Sequence, residues 1–246
     1  MTLLRDQDLA DAFDRAARGY DRLTALHPGY RADLRRSVRR LRLPGSGAGL
    51  RLLDLGCGTG ASTRELLRAA PYADITAVDA SAGMLERAAA KPWPPWVRFV
   101  HSPVEKLADA GVTGEDGYDA VLAAYLFRNV TDPDAVLGTV RGLLVPGGRL
   151  AVHEYSLGGS APARALWDAV CRGVIIPAGT VTGDRDLHRY LWRSVRSFDT
   201  APEFAARIGR AGFRDVRTLP MPGWRTGIVQ TFLALRGPAG DGPEAR

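Results

Sequence analysis

The stretch Arg51-Leu52-Leu53-Asp54-Leu55-Gly56-Cys57-Gly58-Thr59-Gly60 decides how this chain is read. Its first half is a short apolar run of strand type broken by one carboxylate. Its second half places glycine at every other position, so the backbone can turn with positive φ and no Cβ stands between the main chain and a ligand. A helical pattern starts at Ala61. Strand, glycine turn and helix in that order form the first unit of an α/β fold, and in such folds ligands bind at the carboxyl ends of the strands, where this turn lies.

Outward from the turn the same unit recurs. ITAVD (75–79) precedes SAGMLERAAA (81–90), and VRFVHS (97–102) precedes VEKLADA (104–110). YDAVLAAY (118–125) precedes a helix expected from Asp134 to Leu144, opened by Asp132-Pro133. Val145-Pro146-Gly147-Gly148 is a turn that must end that helix before the strand GRLAVHEY (148–155). A helix-leaning connection over 157–199, a helix from about Pro202 to Ala211, and the strands FRDVRTLP (213–220) and IVQTFLAL (228–235) complete the pattern. The expected architecture is a doubly wound α/β domain with a seven-stranded, mostly parallel sheet over residues 1–236. Residues 1–45 and 157–199 are read as helical lids, and 237–246 as a disordered tail.

With 46% hydrophobic and 24% charged residues, the 246-residue chain has the composition of a globular protein with one sizeable core. The start carries no basic-then-apolar leader pattern, and no run reaches the roughly 18 apolar residues of a spanning helix, so a cytoplasmic location is expected. Two cysteines, Cys57 and Cys171, are too few for a disulfide framework, and no His/Cys spacing suggests a metal. The net charge of +6 is concentrated in Arg35, Arg36, Arg39, Arg40 and Arg42, which alternate with Leu34, Val38 and Leu41 as in an amphipathic helix. Such a face is ordinarily solvated; peripheral contact with anionic lipid is the alternative, and nucleic acid is disfavoured because no aromatic-basic platform accompanies it.

The turn fits two cofactors. With Ala61, the glycines at 56 and 58 satisfy the dinucleotide fingerprint G-x-G-x-x-A, which keeps a nicotinamide-dependent oxidoreductase open. Asp54 separates the two, because a carboxylate there would repel a pyrophosphate and favour the cationic end of S-adenosylmethionine. Asp79, 19 residues after Gly60, suits a ribose diol in either case. An S-adenosylmethionine pocket would then be built from Asp54, Gly56, Cys57, Gly58, Gly60, Asp79 and Ala80. Met84 and Ser102-Pro103-Val104 would lie beside the adenine, and Ala123 and Tyr125 under the methionine.

The block from Tyr118 to Ser156 resembles the ubiquinone/menaquinone-biosynthesis C-methyltransferases. Arg128-Asn129-Val130-Thr131-Asp132 matches that family's R-N-V-T-D, and Glu154-Tyr155-Ser156 its E-x-S after the Pro-Gly-Gly turn. Weaker echoes at Tyr20-Asp21, Tyr190-Leu191, Ala211-Gly212-Phe213 and Gly227-Ile228-Val229 extend the likeness over nearly the whole chain. The resemblance implies a class I methyltransferase acting on a quinol or hydroxylated aromatic ring. Arg128 is the candidate to stabilise a phenolate, and a structural ion pair with Glu154 is its competing role. Asn129 is read as orienting the acceptor or capping a turn. Tyr20 would close over the methionine carboxylate, and His27, Phe127, Glu154, Tyr190 and Trp192 would face the acceptor. His153 points to the opposite side of its strand from Glu154 and is read as a core or helix-facing histidine rather than a base. Departures at the lid (YDRLTALHPGYR, 20–31), at Ala61 and at Pro103 leave the acceptor open, so a small aromatic O-, N- or C-acceptor stands as the alternative. Oligomeric state is not encoded in any of these features.

Overall fold

The computed structural model describes Asp11, Phe13, Asp14, Ala17 and residues 29–114, 117–157, 161–177 and 185–238. The strands are β1 (Arg51–Leu55), β2 (Asp74–Asp79), β3 (Val97–His101), β4 (Tyr118–Ala124), β5 (Leu144–Tyr155), β6 (Phe213–Pro220) and β7 (Val229–Arg236). The helices are α1 (Tyr30–Arg40), α2 (Ala61–Ala69), α3 (Ala82–Ala89), α4 (Pro133–Leu143), α5 (Ala161–Val170), α6 (Arg185–Ser197) and α7 (Ala201–Arg210).

One sheet runs in the order β3-β2-β1-β4-β5-β7-β6. β1 to β5 are parallel, and β7 enters antiparallel between β5 and β6. The order reverses between β1 and β4, so a crevice opens above the ends of those two strands, where the glycine turn lies. Strand alternation sends Leu53, Leu55 and Val121 toward α4 and α7, where they join Phe127, Val140, Phe204 and Ile208. Leu52, Ile75 and Leu122 go to the other face, with Val38 and Leu41 at the α1 end and Leu66 of α2. Each of these fully buried leucines contributes roughly 1.5–3 kcal/mol, which makes the sheet a rigid floor for the crevice. A third cluster joins Tyr155, Leu157, Trp167, Cys171, Val195 and Ile228, and anchors the 157–199 segment beyond the end of β5.

Two expectations change. VEKLADA forms only a 3-10 turn at Val104–Lys106, because the amides of Ala110 and Val112 fold back on the Leu107 carbonyl and Gly111 turns with φ 71°. So short a segment gains too few helical bonds to propagate. Val145-Pro146-Gly147-Gly148 does end α4, but it is absorbed into β5 as an irregularity: Tyr118 pairs with Leu144 and Ala120 with Arg149. The amphipathic helix α1 starts at Tyr30 on the cavity wall and packs its apolar side into the fold. Leu34, Val38 and Leu41 are buried in the body of the fold, and Arg35, Arg36, Arg39 and Arg42 stay exposed. Tyr20, His27 and the tail from 239 lie outside the described residues.

Candidate active site

The glycine turn is tied to β2 before it reaches any ligand. The amides of Gly56 and Cys57 both donate to the Val78 carbonyl, at 2.8 and 3.0 Å. Asp79, at the end of β2, accepts from the Gly58 amide at 2.7 Å and the Ser81 amide at 2.9 Å. Burial outweighs those two donors and raises the Asp79 carboxyl above its ordinary range. Gly58 has φ 54° and no atom within 4 Å of where a Cβ would stand, so its backbone is open for close approach. Gly60 is a packing glycine: a Cβ there would lie 2.8 Å from Trp93.

Asp54 sits behind this turn. Alternation along β1 aims it at α2, where it accepts from Ser62 Oγ at 2.8 Å and Thr63 Oγ1 at 2.7 Å. Its other oxygen, Oδ1, is buried without a hydrogen-bond partner among the described residues. Burial is the main cause that pushes its carboxyl up to about 6, with the two hydroxyls working against it. Asp54 therefore acts on the crevice through its field, one layer below the wall.

Above the turn is a cavity of about 800 Å³, lined by Leu55 to Thr59, Asp79 to Ser81, Met84, Ser102 to Lys106, Ala124 to Leu126 and Arg128 to Asp132. That volume is within the range of small-molecule sites. Phe13 and Tyr30 also reach the wall, and neither was named as a site residue from the sequence; Tyr30 ends the stretch His27-Pro28-Gly29-Tyr30 and begins α1. Asp14 holds the Phe13 segment in place by accepting from Ser81 Oγ and from the Gly83 amide.

At the far end, Tyr125 takes φ 58°, the left-handed region, immediately after β4. Its carbonyl accepts from Arg128 Nη1 at 3.0 Å and Asn129 Nδ2 at 2.9 Å, which closes the turn that puts both residues on the wall. Arg128 pairs with Glu154 at 2.5 Å; both side chains are nearly inaccessible. Arg128 Nε is buried with no hydrogen-bond partner among the described residues. The competing role is thus present: Arg128 makes an ion pair through Nη1 while its side chain also lines the cavity. Asn129 Oδ1 accepts from Tyr190 Oη at 3.0 Å, which brings α6 to the site through Asn129.

Other expected residues lie off the wall. Ala123 is core, and Phe127 packs edge-on against Phe204. Trp192 donates to Asp168 at 2.7 Å and pins α6 to α5. Glu154 and Tyr190 act through Arg128 and Asn129. For Phe127 the reason is local: the short turn after β4 alternates side chains between cavity and core, a register that a string of letters does not display.

The glycine turn, the open Gly58 backbone, the twin-amide carboxylate of Asp79 and the uncompensated Asp54 fit a cationic nucleoside better than a dinucleotide pyrophosphate. Fold and site together define a class I S-adenosylmethionine-dependent methyltransferase. Solved structures agree on the fold. A SAM-dependent methyltransferase from Thermotoga maritima, titled a possible histamine N-methyltransferase, superposes with a TM-score of 0.64 at 20% identity, covering 93% of this chain and 99% of its own. A Haemonchus contortus phosphoethanolamine N-methyltransferase in complex with S-adenosyl-L-methionine gives 0.59 at 14% identity, covering 82% and 52%. The model of the ubiE/COQ5 methyltransferase family matches residues 1–235, and the chain belongs to that family. Among its relatives, the ubiquinone/menaquinone biosynthesis C-methyltransferase of Syntrophotalea carbinolica is 34% identical over 240 residues, covering 96% of this chain and 97% of that one. A demethylmenaquinone methyltransferase of Mycobacterium tuberculosis is 34% identical over 229 residues, covering 91% and 90%.

Proposed function

We propose that this methyltransferase methylates a ring carbon of a quinol or related hydroxylated aromatic. The observation that carries the reading is Arg128: a buried, permanently charged side chain that lines the cavity directly after the β4 end. Its relatives' names point to the same acceptor class.

S-adenosylmethionine, when bound, supplies a methyl group activated by its sulfonium charge. Gly56, Gly58 and Asp79 would hold its methionine and ribose portions, and Met84 with Val104 its adenine. Asp54 and Asp79 supply negative potential to a cationic ligand. The acceptor carbon becomes nucleophilic when its neighbouring hydroxyl ionises, and lowering a phenol by about three units takes roughly 4 kcal/mol. A lone arginine about 4 Å away at an effective dielectric of 20 would provide about that much. Arg128 is not alone, because Glu154 cancels part of its charge. The pair therefore acts as an oriented dipole, positive end toward the cavity, and also aligns the acceptor.

The finer reading is a lipophilic acceptor met at a membrane. No helix among the described residues is long and apolar enough to cross one. The apolar face of α1 is already buried, so any contact with anionic lipid would be through the exposed charge of Arg35, Arg36, Arg39 and Arg42 alone. The test is incubation with S-adenosylmethionine and quinols of long and short tail, read by mass spectrometry with fragment assignment. The expected product carries one new methyl on a ring carbon. Methylation on oxygen alone, or no product from any quinol, overturns the reading.

A further inference from the structure

We propose that the Tyr125 hydroxyl is the hydrogen-bond donor that selects an oxygen-bearing acceptor, and that His153 is its positioning residue. This rests on the acceptor being a hydroxylated aromatic, as argued above.

Tyr125 lines the cavity beside Arg128 and Tyr30. Its ring is held on several sides: Tyr30 stacks on it at 5.7 Å and 14°, Tyr155 lies at 5.0 Å, and His153 meets it edge-on at 4.8 Å. The Arg128 guanidinium stands 5.5 Å from the ring centroid, so the hydroxylated ring and the cation share one corner of the wall. Tyr125 Oη lies 2.9 Å from His153 Nε2.

The direction of that bond follows from a buried chain reaching to α1. Arg40 can only donate, and one Nη1 hydrogen goes to Thr231 Oγ1 at 2.8 Å, the other to the Leu219 carbonyl. Thr231 Oγ1 accepts from Arg40, and among the described residues the arrangement that gives its own buried hydrogen an acceptor has it donate to Ser37 Oγ at 2.8 Å. Ser37 in turn donates to His153 Nδ1 at 2.9 Å. With Nδ1 accepting, the neutral ring carries its proton on Nε2 and donates it to Tyr125 Oη. Burial, with Arg40, Arg225 and Arg128 adding to it, lowers His153 to about 3, so the ring stays neutral and the direction is kept. Tyr125 then accepts one bond and keeps its phenolic hydrogen uncommitted among the described residues. Burial raises that phenol well above its ordinary value, so it donates and does not ionise. The consequence is selectivity: an acceptor oxygen is held by a fixed neutral donor, and an analogue without it leaves a buried hydroxyl unpaired, which sites of this kind reject strongly.

The experiment compares full-length parent, Tyr125→Phe, His153→Leu, His153→Gln and the double variant Tyr125→Phe/His153→Leu, each checked for folding by thermal melting. Tyr125→Phe is expected to lower kcat/KM for a hydroxylated acceptor tenfold or more, with S-adenosylmethionine Kd within twofold of the parent. It should also erase the parent's preference over an analogue whose hydroxyl is replaced by hydrogen. His153→Leu should show the same loss, the double variant no further loss, and His153→Gln a partial rescue through its amide donor. An unchanged kcat/KM or an unchanged preference in Tyr125→Phe overturns the donor role; losses that multiply in the double variant overturn the positioning role. Nitrogen NMR of labelled histidine reads the chain without turnover: the His153 ring is expected with its proton on Nε2, and a proton on Nδ1 overturns it. Parent protein that methylates no quinol overturns the acceptor reading itself, an outcome distinct from a parent that is active and a Tyr125→Phe that matches it.

Discussion

The cofactor half of the crevice, from β1 to β3, and the acceptor half, at the ends of β4, β5 and β7, treat buried charge in opposite ways. In the first half two carboxylates, Asp54 and Asp79, meet only neutral donors, the hydroxyls and amides of Gly58, Ser62, Thr63 and Ser81, and Asp54 Oδ1 has no partner among the described residues. Negative potential is left over for a cationic ligand. In the second half charge is cancelled by opposite charge: Arg128 by Glu154, and Asp33 by Arg225 at 2.9 Å. His153 is held neutral. The difference matches two ligands, one cationic and one neutral and aromatic, that must meet end to end.

The largest effect should come from breaking the acceptor half. Arg128→Ala strands Glu154, which is fully buried, and should cost about 3–5 kcal/mol in urea denaturation. Replacing both partners with apolar residues, Arg128→Met with Glu154→Leu, should recover most of that loss, because no uncompensated charge remains. Turnover lost in Arg128→Ala alone would therefore not assign a role. Arg128→Lys is the sharper variant: it keeps the charge and loses the planar fork, so turnover should fall while S-adenosylmethionine affinity holds. An Arg128→Ala protein as stable as the parent would mean that the pair is solvated and the contrast between the halves is false.

The cofactor half should respond to pH. Asp54 is raised from 3.8 to about 6, so the folded protein binds its proton more tightly than the unfolded chain does. Below pH 4 both states carry the proton and nothing is lost. As pH rises from about 4 to 6 the unfolded chain releases the proton that the folded state still holds, so stability falls by roughly 3 kcal/mol at about 1.36 per unit and levels off once the buried carboxyl itself ionises above about 6. His153, lowered to about 3, has the opposite slope, its contribution present above pH 6.5 and lost on acidification. Asp54→Asn cannot ionise, so its stability relative to the parent should improve between pH 4 and 7, and S-adenosylmethionine should stabilise it less at pH 7. Parallel stability curves for the two proteins would show that Asp54 is not the strained group.

The two halves also differ in how far the sequence discloses them. The cofactor half is local: Asp54, the glycines, Asp79 and Ser102 to Val104 occur within about fifty residues, and each follows the end of a strand that its own pattern announces. Even there Asp54 was read as a contact, because alternation within β1 decides its direction only when the faces of the sheet are known. In the acceptor half, Arg128 and Asn129 were found through resemblance, and Arg128's pairing with Glu154 was the stated competitor. The chain Arg40-Thr231-Ser37-His153-Tyr125 was not found: its members come from α1, β5, β7 and the turn after β4, and no spacing along the chain joins them. Of that chain the sequence supplied only that His153 is a core or helix-facing histidine; Ser37 of α1 is the group at its Nδ1.

The smallest effect on stability, and the most direct test of the leftover negative potential, belongs to Asp79. It lies on the wall, and the two amides it accepts from, Gly58 and Ser81, belong to wall residues as well. Asp79→Ala leaves those amides a route to water, so the folded state should lose no more than about 1–2 kcal/mol. In the proposed pocket Asp79 would meet a ribose diol, and charge-assisted bonds of that kind are worth about 1.5–3 kcal/mol. S-adenosylmethionine affinity, measured by calorimetry, should therefore fall at least tenfold while NADH remains unbound by parent and variant alike. Asp79→Asn should fall between the two, since an amide still accepts from one backbone N–H but carries no charge. If Asp79→Ala instead binds S-adenosylmethionine as tightly as the parent, the cofactor does not sit between the glycine turn and β2. The field of Asp54 behind the turn would then be a structural cost without a ligand to relieve it.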